Sequence, residues 1–487
     1  MASPMTARAA VAETHSAIVF FVGDRAYKLK KPVDLGFLDF RTPAARATAC
    51  AREVELNRRI APDVYLGVAD VVGPDGVACD HLVVMRRMPD DRRLATLVAE
   101  GADVRDDLRR LARLVAGFHA AAARSPDADR AAGRDALAAR WAANTAGLAD
   151  VGRRVVEIDD VVEVDALAAR YLSGREPLFA RRIAEGRALD GHGDLLADDI
   201  FLLPDGPRVL DCLEFDDDLR RGDALADVAF LAMDLERLGR PDLGDRFLAA
   251  YRRFADDAWP ASLGHHHVAY RAQVRAKVRA IRARQGDGAA AVEARDLLAL
   301  ARRHLETGAV RLVLVGGLPG TGKSTLATGL GEALGATVLR SDELRKELAG
   351  LPADRPAPAP FGEGLYRPEQ TGATYAEMLA RAGTALALGE SVVLDASWVD
   401  ERRRAEARAL AADRCADTIE VRCAVASELA AERIRRRTAR GGDASDATPE
   451  IAVALAAAED PWPGAVALDT GAGPADALAK ALAAIGP

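Results

Sequence analysis

Apolar and polar positions recur with two different periods along this chain, and the change from one to the other predicts its parts. Near the amino end, "SAIVFFVGD" and "RAYKLKKPV" are strand-length apolar runs that meet at Gly23-Asp24, a pair predicting a tight hairpin turn. "AARATACAREVELNRRIAP" predicts a helix ended by Pro62, and "DHLVVMRRMPD" predicts another strand. The period then lengthens. In "DDLRRLARLVAGFHAAAA", Leu108, Leu111, Leu114, Val115 and Phe118 fall on one helical face. "ALADVAFLAMDLERL" and "HHHVAYRAQVRAKVRAIRAR" predict further helix. A small sheet-rich lobe, residues 1–90, is therefore expected ahead of a larger helical lobe, residues 91–305.

A new pattern begins after the linking segment "RQGDGAAAVEARDLLALARRHLETGAV". "RLVLVGG" is a continuous apolar run, followed by a glycine-rich turn and the helix "KSTLATGLGEAL". Short apolar runs then recur between helices: "ATVLRSD", "SVVLDAS", "TIEVRCAV" and "AVALDTG". Strands alternating with helices predict a parallel α/β sheet. The boundary is placed near residue 306, giving domains 1–305 and 306–487. "LPADRPAPAPFGEG" predicts a mobile surface loop, and no internal repeat is visible.

Composition agrees and narrows the chemistry. A chain of 487 residues is too long for one core. The formal net charge of -8 and an aromatic content of 5% disfavour a nucleic-acid groove, which pairs positive charge with stacking rings. Five scattered cysteines without a CxxC pair argue against a disulfide framework or zinc cluster and fit a reducing cytoplasm. The segment "MASPMTARAAVAETH" lacks the apolar core of a signal peptide, and the longest apolar runs are too short to span a bilayer. His265 to His267 are expected on a helix surface rather than at a metal, because no ligand stands at metal spacing from them.

Chemistry concentrates in two places. "GHGDLLADDIF" carries His192-Gly193-Asp194 and, five residues after Asp194, Asp199. This is the spacing H-x-D-x-x-x-x-N with Asp in place of Asn. Phosphoryl transfer needs an oriented hydroxyl and neutralised phosphate charge. Asp194 would orient or accept the hydroxyl proton, and Asp199 would hold Mg²⁺, which accepts carboxylate oxygen readily. "PRVLDCLEFDD" supplies Asp211 as the second metal ligand, with Asp216 as the alternative. In "RAYK", Ala26 and Lys28 share a strand face, so Lys28 is the expected ATP-positioning lysine, Lys30 being the alternative. Glu53 is its expected ion-pair partner, with Glu55 second. No G-x-G-x-x-G loop precedes them; "ETHSAIVF" is the candidate to cover the phosphates.

The order of a sheet-rich lobe before a helical lobe is the outline of a kinase-like fold. "HGDLLADDIF", "VLDCLEFDDDLRRGDALADVAF" and "YKLKKPVDLGFLDF" resemble the aminoglycoside phosphotransferase and choline kinase-like superfamily. The chain as a whole looks similar to bacterial predicted kinases that join such a domain to a P-loop domain. The resemblance implies a bilobal protein-kinase-like fold in which Asp223 or Asp227 braces the catalytic region. It leaves the acceptor open, since one scaffold serves many alcohols.

The second place is "GLPGTGKS", which satisfies G-x-x-x-x-G-K-[ST] between an apolar strand and a helix. Gly317, Leu318, Pro319, Gly320, Thr321, Gly322, Lys323, Ser324 and Thr325 would cradle the phosphates through backbone N–H groups. Lys323 would reach the β- and γ-phosphates, and Ser324 would ligate Mg²⁺. Asp395 ends a later strand, as a carboxylate acting on the metal's water shell would. Asp342 is expected to orient a substrate hydroxyl, with Arg340 and Arg345 beside it. Arg433, Arg436, Arg437 and Arg440 predict a lid that closes on ATP, Arg436 stabilising transferred charge. "RSDELRK" and "VVLDASWVDERRRAEARAL", with Arg404 behind the strand, resemble gluconate kinases, polynucleotide 5′-kinases and zeta-type toxins. No arginine-finger ring of a hexameric motor is visible, so a kinase is expected over an AAA-type machine.

These readings predict an ATP- and Mg²⁺-dependent phosphotransferase with two nucleotide sites, acting on the hydroxyl of a small molecule such as a sugar, amino sugar or aminoglycoside, in the cytoplasm and without a membrane partner. Two alternatives stay open. The P-loop half is a polynucleotide 5′-hydroxyl kinase, or the chain is an ATP-sensing regulator with little turnover.

Overall fold

The computed structural model describes residues 10–13, 16–34, 39–152, 154–440 and 444–486. By contact the chain divides into two units. One comprises Met1–Val161, Ala180–Trp259 and His267–Ala301; the other comprises Val162–Phe179, Pro260–His266 and Arg302–Pro487.

The first unit opens with a five-stranded antiparallel sheet. Its strands are β1 (Ala10–Glu13), β2 (Ala17–Val22), β3 (Arg25–Lys30), β4 (Tyr65–Val72) and β5 (Ala78–Arg86), in the order β1-β2-β3-β5-β4. The β2–β3 hairpin closes with Val22 opposite Arg25, and Gly23 supplies the positive φ of 59° that the turn needs. Alternation along β3 puts Ala26, Lys28 and Lys30 on one face. The helix Pro43–Asn57 begins where expected: Thr42 caps it by accepting from the Ala45 N–H at 3.2 Å, and Pro43 occupies the first turn. Its buried face holds Arg46, Cys50, Glu53, Val54 and Asn57, so three polar groups enter the interior and must find partners there.

The helical part includes Arg105–Ala121, whose buried residues Leu108, Leu111, Val115 and Phe118 form the expected face; Leu114 is half-buried. Two small antiparallel pairs frame the HGD loop: β6 (Ala188–Asp190) with β9 (Arg221–Asp223), and β7 (Ile200–Leu203) with β8 (Gly206–Val209). The three histidines lie in the helix Ala261–Arg284, but the surface position expected of them is only partly right. His266 and His267 are 1% and 2% exposed, because both sit on the helix's packed side. His266 stacks on Tyr171 at 4.5 Å.

The second unit is a five-stranded parallel sheet: β10 (Arg311–Gly316), β11 (Thr337–Arg340), β12 (Val392–Asp395), β13 (Asp417–Ala424) and β14 (Val466–Asp469), ordered β11-β12-β10-β13-β14. β10 and β12 read as continuous apolar runs because both faces are covered, whereas β13 alternates polar and apolar residues. One face packs Val313, Val315, Val393 and Val421 against Leu326, Ala327 and Leu330 of the helix Lys323–Leu334. β12 and β13 flank β10, so the connections leave their carboxyl ends in different directions and open a crevice there, the usual place for a ligand in such a sheet. The segment around Ala353–Gly364 is exposed along most of its length; Lys346 Nζ donates to Ala353 O at 3.2 Å, and the Ala357 N–H donates to Asp446 at 3.1 Å.

Candidate active sites

In the first unit, β3 and the helix Pro43–Asn57 bring two lysines onto one carboxylate. Lys28 Nζ lies 2.9 Å from Glu53 Oε1 and 2.6 Å from Asp211 Oδ1. Lys30 Nζ lies 2.8 Å from Glu53 Oε2 and 2.6 Å from Glu214 Oε1. Glu53 is fully buried, and two cations offset what an isolated buried carboxylate would cost. Burial works against the Lys28 charge, yet Asp211, Glu53 and Glu214 hold its pKa well above the ordinary value. Lys28 in turn draws the Asp211 carboxyl below its ordinary value. Glu55 faces outward and pairs with Arg52. Of the segment Glu13–Phe20, the ends belong to β1 and β2; Thr14 and His15 lie outside the described residues.

Asp211 follows β8 with a positive φ of 65°. That strained turn is held by its neighbours: the Asp211 N–H donates to Tyr65 Oη at 3.0 Å and the Cys212 N–H to Asn57 Oδ1 at 2.9 Å. Asn57 Nδ2 donates back to Glu53 O at 2.9 Å, so one helical turn positions both the lysine's partner and the Asp211 loop. Asp216 is used differently. It caps the short helix Asp217–Arg220 by accepting from the Asp218 N–H at 2.8 Å.

The HGD loop is braced from below. Asp227, at the start of the helix Ala224–Arg237, accepts from the His192 N–H at 2.7 Å and the Gly193 N–H at 2.8 Å. His119 Nε2 lies 3.0 Å from the same carboxylate, and its Nδ1 lies 2.7 Å from Tyr251 Oη. Despite burial, the bonds from His119 and the loop hold Asp227 far below the usual carboxylate range. Gly193 has φ 87°, and a Cβ there would meet Leu213 and the Arg220 backbone at 3.1 and 3.3 Å. Asp223 caps the same helix and receives Arg182 in two bonds of 2.8 and 2.6 Å. Asp234, which the sequence pattern did not single out, accepts from the Ala197 N–H at 2.9 Å and holds the turn that carries Asp199.

Burial raises the Asp194 carboxyl to about 6, with Asp211 adding to the rise and Arg275 and Arg271 opposing it. Burial, then Asp211 and Asp194, push Asp199 well above its ordinary value. Asp199 and Asp211 thus share Lys28 as their near cation, while Asp194 beside them faces Arg275 and Arg271. No group of three or more metal-ligating side chains is found among the described residues. Two carboxylates with an excess of negative charge fit Mg²⁺, which completes its shell with phosphate oxygens and water.

In the second unit, the loop Gly317–Gly322 turns from β10 into the helix Lys323–Leu334. Gly320 has φ 83° and a Cβ there would strike Ala430 O at 2.4 Å, so the loop lies too close to the helix Ser427–Arg440 to admit a side chain. The first-turn N–H groups of the helix Lys323–Leu334 are available to an anion. Asp395 ends β12 opposite Val315 of β10 and Arg340 of β11. Burial raises its carboxyl above the ordinary value against the pull of Lys323, Ser324 and Arg340. Arg340 Nε lies 3.2 Å from Asp395 Oδ2. Lys323, Ser324 and Asp395 are therefore brought together.

The arginines are sorted by the fold. Arg433 reaches the loop: its guanidinium donates to Thr470 O at 3.0 Å, and Thr470 Oγ1 donates to Thr321 O at 2.6 Å. Arg436 is 71% exposed and pairs with Glu432 one turn away, and Arg437 donates to Ala447 O. Asp342 sits half-buried in the first turn of the helix Ser341–Leu348, and Arg345 lies over the Tyr366 ring, donating to Thr371. Arg404 is fully buried and donates to the carbonyls of Trp398 and Pro461, a structural clamp rather than a ligand-facing group.

Comparisons with known proteins follow the same division. The family model described as "Phosphotransferase enzyme family" matches residues 11–265, and one described as "AAA domain" matches residues 312–459. Uncharacterized proteins of Mycobacterium tuberculosis and Mycobacterium bovis are each 47% identical over 464 residues, covering 95% of this chain and 92% of theirs. Among solved structures, a choline/ethanolamine kinase family protein from Mesorhizobium loti is 16% identical, covering 62% of this chain and 90% of that one with a TM-score of 0.39. A gluconokinase from Sinorhizobium meliloti is 20% identical, covering 36% of this chain and 91% of that one with a TM-score of 0.27.

Proposed function

Since the chain belongs to the phosphotransferase enzyme family, we propose that its first unit transfers the γ-phosphoryl group of ATP to the hydroxyl of a small molecule. The observation that supports this most is Lys28, shared between Glu53 and Asp211 in the unit that holds the HGD loop. That lysine is placed to move from Asp211 to incoming phosphate oxygens while Glu53 keeps its ammonium in position. Asp194 takes the acceptor hydroxyl. As the new P–O bond forms at the acceptor oxygen, the bond from the γ-phosphorus to the β-bridging oxygen breaks, ADP departs, and the hydroxyl proton passes to the Asp194 carboxylate. A pKa raised to about 6 leaves that carboxylate ionised near neutral pH and still basic enough to take a proton. Mg²⁺, held by Asp199 and Asp211, would neutralise charge on the phosphates. Asp in place of Asn at position 199 is compatible with this role, because the site then offers the metal two anionic oxygen donors.

The P-loop unit is assigned a second nucleotide site. Lys323 and Ser324 stand beside Asp395, and Arg433 is anchored at the loop, which favours Arg433 over Arg436 for contact with transferred charge. Asp342 serves as its acceptor-orienting residue. The five cysteines are free, and among the described residues no helix is long and apolar enough to cross a membrane.

Assaying ATP consumption of the intact chain against sugars, amino sugars, aminoglycosides, choline and nucleosides tests both assignments. Asp194→Asn should abolish one activity and Lys323→Ala another. Full turnover in both variants, with only partner binding altered, would overturn the enzymatic reading in favour of a nucleotide sensor. Labelling of a 5′-hydroxyl oligonucleotide that depends on Lys323 would reassign the second site to nucleic-acid ends.

A further inference from the structure

The charge around Asp194 on its helical side narrows the acceptor. Arg271 and Arg275 stand four residues apart on the helix Ala261–Arg284, and so project from one face. Arg271 is fixed: its Nε donates to Ala226 O at 2.9 Å, its Nη1 lies 3.4 Å from Gly193 O, and its guanidinium covers the Phe230 ring at 4.6 Å. Arg275 has a buried Nε that meets no acceptor. On the same helix Arg279 is paired with Glu293 at 2.9 Å, whereas neither Arg271 nor Arg275 has an ion-pair partner among the described residues. Arg140, from the helix Arg134–Gly152, shares with Arg271 the lining of a cavity of about 30 Å³ and is likewise unpaired, donating only to Asp218 O at 3.1 Å. Lys277 donates to the neutral Asn144 at 2.6 Å. Elsewhere in the unit other half-buried arginines face carboxylates, as Arg237 faces Asp234 and Arg208 faces Asp63.

Arg271 reaches the carbonyl of Gly193, the residue before Asp194, and Arg275 and Arg271 both oppose the rise of the Asp194 carboxyl. When Asp194 takes up the acceptor proton, that compensation disappears. A second anion beside it would restore balance and would offset repulsion from the polyphosphate.

We propose that this site takes an anionic hydroxy compound, one whose carboxylate or phosphate is bound by Arg275 with Arg271 beside it. The inference rests on the reading of Asp194 as the acceptor-facing residue. A guanidinium pairs with either anion through two parallel bonds, which also fixes the acceptor's orientation. A polycationic acceptor such as an aminoglycoside would meet like charge in a desolvated place.

The test uses the intact chain with MgATP, counting only turnover lost in Asp194→Asn. Four probes are compared: glucose 6-phosphate and gluconate as phosphate and carboxylate, glucose as neutral, kanamycin as cationic. An anionic probe should turn over best, with the better of the two naming the anion. Arg275→Gln should raise KM for that probe about tenfold or more with kcat little changed, and Arg275→Lys should recover part of it. Preference for glucose or kanamycin would overturn the proposal while leaving the kinase reading intact. So would a KM increase for ATP instead of the acceptor, or a shifted pH profile with an unchanged acceptor KM, since Arg275 would then serve the nucleotide or Asp194 alone. Nucleotide binding without turnover of either anionic probe also overturns it. Absence of MgATP binding that depends on Lys28 would instead remove the underlying reading.

Discussion

If Asp194 takes the acceptor proton as proposed, it is the residue on which activity and stability pull in opposite directions. Its carboxyl titrates at about 6 against an ordinary 3.8, so above pH 6 its ionisation opposes folding. The shift corresponds to up to about 3 kcal/mol. The sign is that of a raised acid: the stability deficit is absent below the unfolded value, develops between about pH 4 and 6, and is complete above. Asp194→Asn should therefore melt at a higher temperature than the parent at pH 8 in chelator, and lose that advantage near pH 4, while its turnover falls by several orders of magnitude. Activity of the parent should drop as pH falls through about 6. Asp199 adds a second test. Asp199→Asn should keep turnover and require more Mg²⁺ for half-maximal rate, because it removes one anionic donor from a site with a charge surplus; loss of all turnover would mark Asp199 as more than a metal ligand.

Among elements, the HGD loop depends on groups far from it in sequence. Asp227 holds two loop N–H groups and His119 at once, and a neutral side chain cannot replace all three bonds. Asp227→Ala should cost about 3–5 kcal/mol in denaturant unfolding and disorder the loop, visible as lost protection of the His192 and Gly193 amides in hydrogen exchange. The elements that sequence alone revealed are those with local signals: the Gly23-Asp24 hairpin, the helix running from about Ala44 and the loop between β10 and its helix. The distant partnerships were hidden. Lys30 and Glu214 are 184 positions apart; the face shared with Lys28 marked Lys30, and nothing in the sequence marked Glu214. The burial of His266 and His267 was also hidden, since arginines punctuate their helix and blur its apolar face. Arg433 and Arg436 illustrate the same limit: they lie one turn apart, and which one meets the loop is decided by Thr470, 37 residues beyond Arg433.

For the molecule as a whole, the proposed reading gives one chain two phosphate-handling sites built on different principles. The first gathers side chains from sheet, helix and loops; the second uses backbone N–H groups at a helix start, with Asp395 and Lys323 added. Each has its own lysine and its own carboxylates, so loss of one should leave nucleotide binding at the other. Calorimetric titration of the intact chain with a non-hydrolysable ATP analogue and Mg²⁺ tests this most directly. Two sites per chain are expected for the parent, one for Lys28→Ala and one for Lys323→Ala. Saturation that neither substitution changes, or no uptake of nucleotide by the parent, would contradict it.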